Sequence, residues 1–143
     1  MKKLTFLFVL IISACSITPT FTPDQDFETM INQARGKEQP LHLSAVLQAA
    51  ADIHSNYMDS TGLYDHAWKD GTRVKDRLAA LGYNGMGTEN IAWGYKSESE
   101  VLQGWLDSPP HCEAILFPYY NAYGLSRRGF YWTLVLGYEY RGE

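Results

Sequence analysis

Residues Phe130 to Tyr140 read as a single extended strand with no polar face. Side chains alternate along a strand, so Trp132, Leu134, Leu136 and Tyr138 point one way while Tyr131, Thr133 and Val135 point the other. Both sets are largely apolar, and a strand of that kind needs cover on both sides. Asn121 to Ser126 supplies a preceding strand, and Arg127-Arg128-Gly129 reads as the turn of a hairpin. Upstream of the hairpin the apolar spacing is helical. Helices first, a hairpin after, and cover on two faces predict class α+β, as an α-β-α three-layer sandwich around a central antiparallel sheet.

The helices can be placed from their caps and stripes. Phe27, Met30, Ile31 and Ala34 recur at i, i+3, i+4 and i+7, the spacing of one amphipathic face. Ser44 is the expected N-cap of a second helix running to about Met58, with Leu47, Ala50, His54 and Met58 as its stripe. Asp70-Gly71-Thr72 opens a third, with Val74, Leu78 and Leu81 inward and Gly82 as its stop. A flexible stretch, Asn84 to Gly87, precedes a buried strand at Ile91-Ala92-Trp93 with Glu89 at its head. Ser97 and Glu100 fit a capping box, and Ser108-Pro109-Pro110 starts a last short helix that carries His111.

A length of 143 residues accommodates one domain. Residues 1–14 stand outside it. Lys2 and Lys3 form a basic start, and Leu4 to Ile12 is an apolar run broken only by Thr5. Nine residues at 1.5 Å each fall well short of a bilayer of ~30 Å, but they suit the apolar region of a signal peptide. Ile12-Ser13-Ala14-Cys15 resembles the bacterial lipoprotein box, in which cleavage leaves an acylated Cys at the new N-terminus. The expected organisation is therefore a signal peptide over 1–14, a lipidated Cys15 and Pro/Thr-rich tether over 15–25, and a domain over 26–143. Such a protein is exported and held to the membrane of the cell envelope by lipid, at the outer membrane if the host is Gram-negative. With Cys15 acylated, Cys112 has no partner, so it is expected to be a small buried apolar residue in a domain without a disulfide. Loss of Lys2 and Lys3 leaves 10 basic against 16 acidic residues. An acidic chain without a basic run argues against nucleic-acid binding, which rests on phosphate neutralisation.

Four histidines are candidates for chemistry. His54 lies on an apolar stripe, where a hydrogen-bonded core histidine is the better reading, and His42 offers nothing. His66 and His111 sit beside turn signals, where functional side chains tend to be presented. Glu89 lies between them in sequence and enters buried surroundings, so its charge requires a partner. Two histidines and a glutamate converging would bind a divalent transition metal through nitrogens and an oxygen, or act as a general acid/base cluster, or merely knot loops to the sheet. Cys112 adjoins His111, but neighbouring helical residues point ~100° apart, which disfavours a thiolate–imidazole pair. No nucleophile stands beside a base in the sequence.

Taken in order, several segments resemble the CAP superfamily (cysteine-rich secretory proteins, antigen 5 and plant pathogenesis-related proteins). They are Leu47-Gln48-Ala49-Ala50-Ala51 with His54 and Met58, then His66, Asp70-Gly71, Arg77 and Gly82-Tyr83. Glu89-Asn90-Ile91-Ala92 with Gly94 follows, then Trp105 with Ser108-Pro109-Pro110-His111, Gly124, and Tyr131-Trp132-Thr133. The resemblance covers about residues 27–138. It implies an α-β-α sandwich with a large cleft that many members line with two His and two acidic residues. His66, Glu89 and His111 fall on three of those positions. Ser108 occupies the fourth, and the neighbouring Asp107 is rotated away from it. A metal site would then rest on His66 and His111 with water, zinc being the expected ion.

Three functions follow as expectations. The first is a non-enzymatic, envelope-anchored binding module that holds a divalent metal, an apolar small molecule or an envelope protein, with Trp68, Trp93, Tyr95 and Tyr119 as groove candidates. The second is a metal-assisted or acid/base hydrolase of envelope material, with Glu89 as general base and the histidines holding metal or protons. The third is a structural lipoprotein in which the polar cluster only braces the cleft.

Overall fold

The computed structural model describes Cys15 and residues 25–140; the expected signal peptide, and the expected tether apart from Cys15 and Gln25, lie outside the described residues. Helix α1 (Phe27–Arg35) begins where the Asp26 carboxylate accepts the Thr29 N–H at 2.8 Å. Strand β1 (His42–Leu43) leads into α2 (Ala45–Thr61), whose N-cap is Ser44 as expected. Helix α3 (Val74–Ala80), strand β2 (Gly87–Trp93), and helices α4 (Glu98–Leu106) and α5 (Pro109–Leu116) follow, before the hairpin of β3 (Ala122–Arg128) and β4 (Tyr131–Gly137). Among the described residues no helix is long and apolar enough to cross a membrane.

The four strands run in the order β1-β3-β4-β2. Strands β3, β4 and β2 are antiparallel, and β1 adds a short parallel edge that its two residues did not announce in sequence. Trp132, Leu134 and Leu136 of β4 join Met30, Ile31, Leu102, Trp105 and Ile115 in one core, under α1, α4 and α5. Val135 joins Leu47, Ala50, Ala51 and Leu78 in the other, under α2 and α3. The doubly apolar strand therefore lies between two helical layers, the α+β sandwich its pattern requires.

Element ends shift for local reasons. Helix α2 runs one turn past Met58, because Gly62 provides the left-handed conformation (φ 68°) that ends it. Helix α3 starts at Val74, later than Asp70, since the Asp70 carboxylate accepts the Thr72 N–H at 2.9 Å and closes a separate turn first. Glu100 accepts the Lys96 N–H at 2.8 Å and not that of Ser97, one residue off the expected capping box. Arg127 and Arg128 remain in the strand, paired with Trp132 and Tyr131, so the turn is Gly129-Phe130.

Arg35 and a disulfide tie together the helical layer of α1, α4 and α5. The buried Arg35 guanidinium donates to the carbonyls of Gln39, Ile115, Phe117 and Tyr120, neutralising the negative end of α5. Cys15 is disulfide-bonded to Cys112 across 97 residues, with Cα atoms 6.0 Å apart. This corrects the expectation of an unpaired Cys112 and a disulfide-free domain. Cys112 is buried as predicted, but what places Cys15 beside it is tertiary proximity, which residue counting does not register. Cys112→Ser is expected to lower unfolding free energy by about 2–4 kcal/mol, within the usual range for such a crosslink. Urea melts with and without reductant provide the measurement. A wild-type transition that reductant leaves unmoved would refute the crosslink.

Candidate functional site

The site is built on β2 as its floor. Glu89, in that strand, has a buried carboxylate. The Arg77 guanidinium of α3 reaches Glu89 Oε2 at 2.6 Å, and His66 Nδ1, from the α2–α3 loop, lies 3.0 Å from Oε1. His54 of α2 places Nε2 3.6 Å from the same Oε1. Burial by itself would raise the pKa of Glu89. The His66 hydrogen bond and the nearby His54 and Arg77 outweigh it and hold the carboxyl below its ordinary range, so Glu89 is ionised at neutral pH.

Arg77 is itself supported from below. Its guanidinium lies over the Trp68 ring, 5.5 Å from the centroid, and Trp68 stacks on Tyr57 at 4.7 Å. Trp68 Nε1 donates to His54 Nδ1 at 3.0 Å. Desolvation disfavours a charged imidazole, so burial lowers the pKa of His54, and its ring is neutral at pH 7.

His111 stands in the first turn of α5. Its Nδ1 lies 2.8 Å from the hydroxyl of Ser108, the N-cap three residues earlier. This corrects the expectation that no nucleophile stands beside a base: an N-cap side chain and the third helical residue meet at a helix start. Burial, and then the proximity of His66, lowers the pKa of His111. The Asn90 amide donates to the His111 carbonyl at 3.0 Å, tying α5 to β2.

Beside this cluster opens a cavity of about 510 Å³ lined by Tyr64, Ile91, Ala92, Trp93, Tyr95, Gly104, Trp105, Ser108 and His111. Trp93 is 58 % exposed, so it is a cleft wall and not core. His66 and Glu89 line a separate, smaller hollow of about 270 Å³ with Arg73, Val74 and Thr88. The expected three residues thus gather around one strand but face two openings.

Of the groove candidates, Trp93 and Tyr95 line the cleft. Trp68 braces Arg77 instead, and the exposed Tyr119 pairs edge-on with Phe117 outside the cleft lining. Sequence reasoning missed Tyr64, whose hydroxyl donates to the Ile91 carbonyl at 3.2 Å, because a loop tyrosine carries no periodic signal. It gave Arg77 no role, although a buried carboxylate demanded a cation somewhere. His54 is the hydrogen-bonded core histidine expected, yet it also faces Glu89.

Among the described residues no group of three or more His, Cys, Asp or Glu is arranged to hold a metal ion. Both Glu89 oxygens are occupied by Arg77 and His66. His66 and His111 each keep one ring nitrogen, Nε2, after their Nδ1 contacts. Two nitrogens fall short of the three or four protein ligands that a resident zinc takes. These residues do not fit such a centre.

The family model described as "CAP: Cysteine-rich secretory protein family" matches residues 29–129. The chain is 30 % identical over 110 residues to the uncharacterized protein YkwD of Bacillus subtilis, covering 73 % of this chain and 42 % of that relative. An extracellular SCP-domain protein of Bacillus anthracis superposes with a TM-score of 0.75 at 21 % identity, over 85 % of this chain and 45 % of that one. An outer surface protein of Borrelia burgdorferi gives a TM-score of 0.72 at 20 % identity, over 79 % of this chain and 90 % of that one.

Proposed function

This chain belongs to the cysteine-rich secretory protein (CAP) family, and on that premise we propose that it is an exported, non-enzymatic binding module whose aromatic cleft takes an apolar small molecule or an apolar segment of an envelope protein. The observation that carries this reading is the state of Glu89. Its carboxylate is buried, ionised and held on both oxygens, so it is committed to bracing the cleft and is not free to take up a proton from a substrate. What remains open to a ligand is largely aromatic: Trp93, Tyr95 and Tyr64, with the His111 ring also in the lining. Such rings supply large contact area at low entropic cost. Export is supported by the extracellular and outer-surface character of two structural relatives and by a disulfide that needs an oxidising compartment.

Lipid anchoring at Cys15 is a further part of the proposal, and it competes for one atom. A lipid thioether and the bond to Cys112 both require Cys15 Sγ, so each molecule carries one or the other. Intact mass of protein recovered from its own host, before and after reduction, separates the two.

Palmitate serves as the apolar probe. Saturable quenching of tryptophan fluorescence is expected, weakened about tenfold or more in Trp93→Ala, the scale of a hot-spot aromatic. Unchanged affinity in Trp93→Ala would sink the cleft assignment. Zn²⁺ is proposed only as a weakly held ion at the free Nε2 of His66 or of His111. Tight zinc binding lost in both His66→Ala and His111→Ala would make the metal the principal ligand. The hydrolase reading is favoured by one contact, Ser108 with His111; peptide or peptidoglycan turnover abolished by Ser108→Ala would select it.

A further inference from the structure

His54 completes the brace in a way that its hydrogen bonds dictate. An indole N–H can only donate, so the contact from Trp68 makes His54 Nδ1 an acceptor. The neutral ring then carries its proton on Nε2, and the stack of Tyr57, Trp68 and Arg77 keeps the indole from turning away. That Nε2–H is buried and makes no hydrogen bond. The Asp65 backbone also lies near the ring and favours its charged form. The nearest carboxylate oxygen is Glu89 Oε1, at 3.6 Å.

The same Oε1 is the one His66 holds, while Arg77 grips Oε2. Pivoting the carboxylate about the Arg77 contact would pass Oε1 from one imidazole to the other. The two histidines differ in what they can do next. His54 has a side chain of 0 % exposure on a long helix, whereas that of His66 is 45 % exposed on a loop.

We propose that His54 is a positioning residue, the reserve donor to Glu89, which takes over the carboxylate when His66 leaves it to engage a ligand. The exposed histidine can then be recruited without stranding a buried charge, and an otherwise orphaned N–H has a purpose. This deepens the binding-module reading, since the release of His66 serves a ligand. The handover itself needs none, so the tests below stand or fall separately from palmitate or zinc binding.

The first test leaves His54 untouched. In ¹⁵N-edited imidazole spectra, His66→Ala is expected to shift the His54 Nε2–H downfield and slow its exchange, as a new hydrogen bond to Glu89 forms. An Nε2–H signal identical to wild type, or a His54 proton found on Nδ1, overturns the proposal. The second test is a double-mutant cycle on unfolding equilibria with His66→Ala and His54→Leu. His66→Ala alone is expected to change the unfolding constant less than about fivefold. Both changes together should exceed the product of the single effects by about tenfold, since Glu89 then has no imidazole donor. A double variant that equals that product within about twofold overturns the handover.

Discussion

Arg77→Met is expected to cost about 3–5 kcal/mol of folding free energy, the range measured when one partner of a buried ion pair is removed. Methionine retains most of the stem and its packing over Trp68, so the loss reports chiefly on charge. Glu89 would be left buried with the His66 imidazole as its hydrogen-bond partner but no cation. Arg77→Met/Glu89→Gln should recover part of the loss, because a neutral amide is far less costly to bury than an unpaired carboxylate. Urea denaturation at pH 7 measures both.

The pH dependence of the same pair follows from the shifts. Glu89 has a lowered pKa in the fold, so above its ordinary value of 4.5 it is ionised in both folded and unfolded chains. Below that value the unfolded chain takes up a proton before the folded one does, and stability falls as pH falls. The neutral, buried His54 acts in the same direction over a higher window, starting at its ordinary 6.5. Wild-type stability should therefore decline from pH 7 toward pH 4, and the gap between wild type and Arg77→Met should narrow as Glu89 protonates. A gap that stays constant down to about pH 3, well below the ordinary carboxylate range, would mean that Arg77 stabilises through packing and not through the carboxylate.

Gly124→Ala is expected to lower stability by about 3 kcal/mol or more, or to prevent folding, which exceeds the usual cost of overpacking. Gly124 lies on β3 against the start of α2. A Cβ there would overlap Gln48 N and the carbonyl group of Leu47, all of them backbone atoms. No rotamer change can relieve that contact. The helix would have to lift from the sheet, breaking the bonds of the Gln48 amide to Leu125 N–H and C=O at 3.1 and 2.8 Å. Ser126 to Asp52, at 2.6 Å, would break with them. Melting temperature and amide exchange on α2 are the readouts, and a variant with wild-type melting would refute this close approach.

Much of the fold was legible because it depends on local periodicity. The alternation in β4 demanded two layers, Ser44, Gly62 and Ser97 marked helix ends by cap chemistry that acts within a few residues, and Pro109-Pro110 marked the first turn of α5. The strand β1 was not legible, since two residues have no period and they pair with Ala122 and Tyr123, far away in the chain. The CAP motifs located His66, Glu89 and His111, but the partners that give those residues their state came from elsewhere in the chain: Arg77 from α3, His54 and Trp68 from behind the strand, and Ser108 from the cap.

By itself the sequence determined the class of architecture, the family and which residues to examine as a candidate site, because apolar spacing and local motifs act over short stretches of chain. Tertiary structure alone decided that Cys15 meets Cys112, that Glu89 is braced by Arg77 and His66 with His54 close behind, and that the cleft wall is aromatic. The reason is physical. Hydrogen bonds and ion pairs form between atoms within about 3 Å, and which distant residues arrive at that separation depends on how the helical layers dock on the sheet.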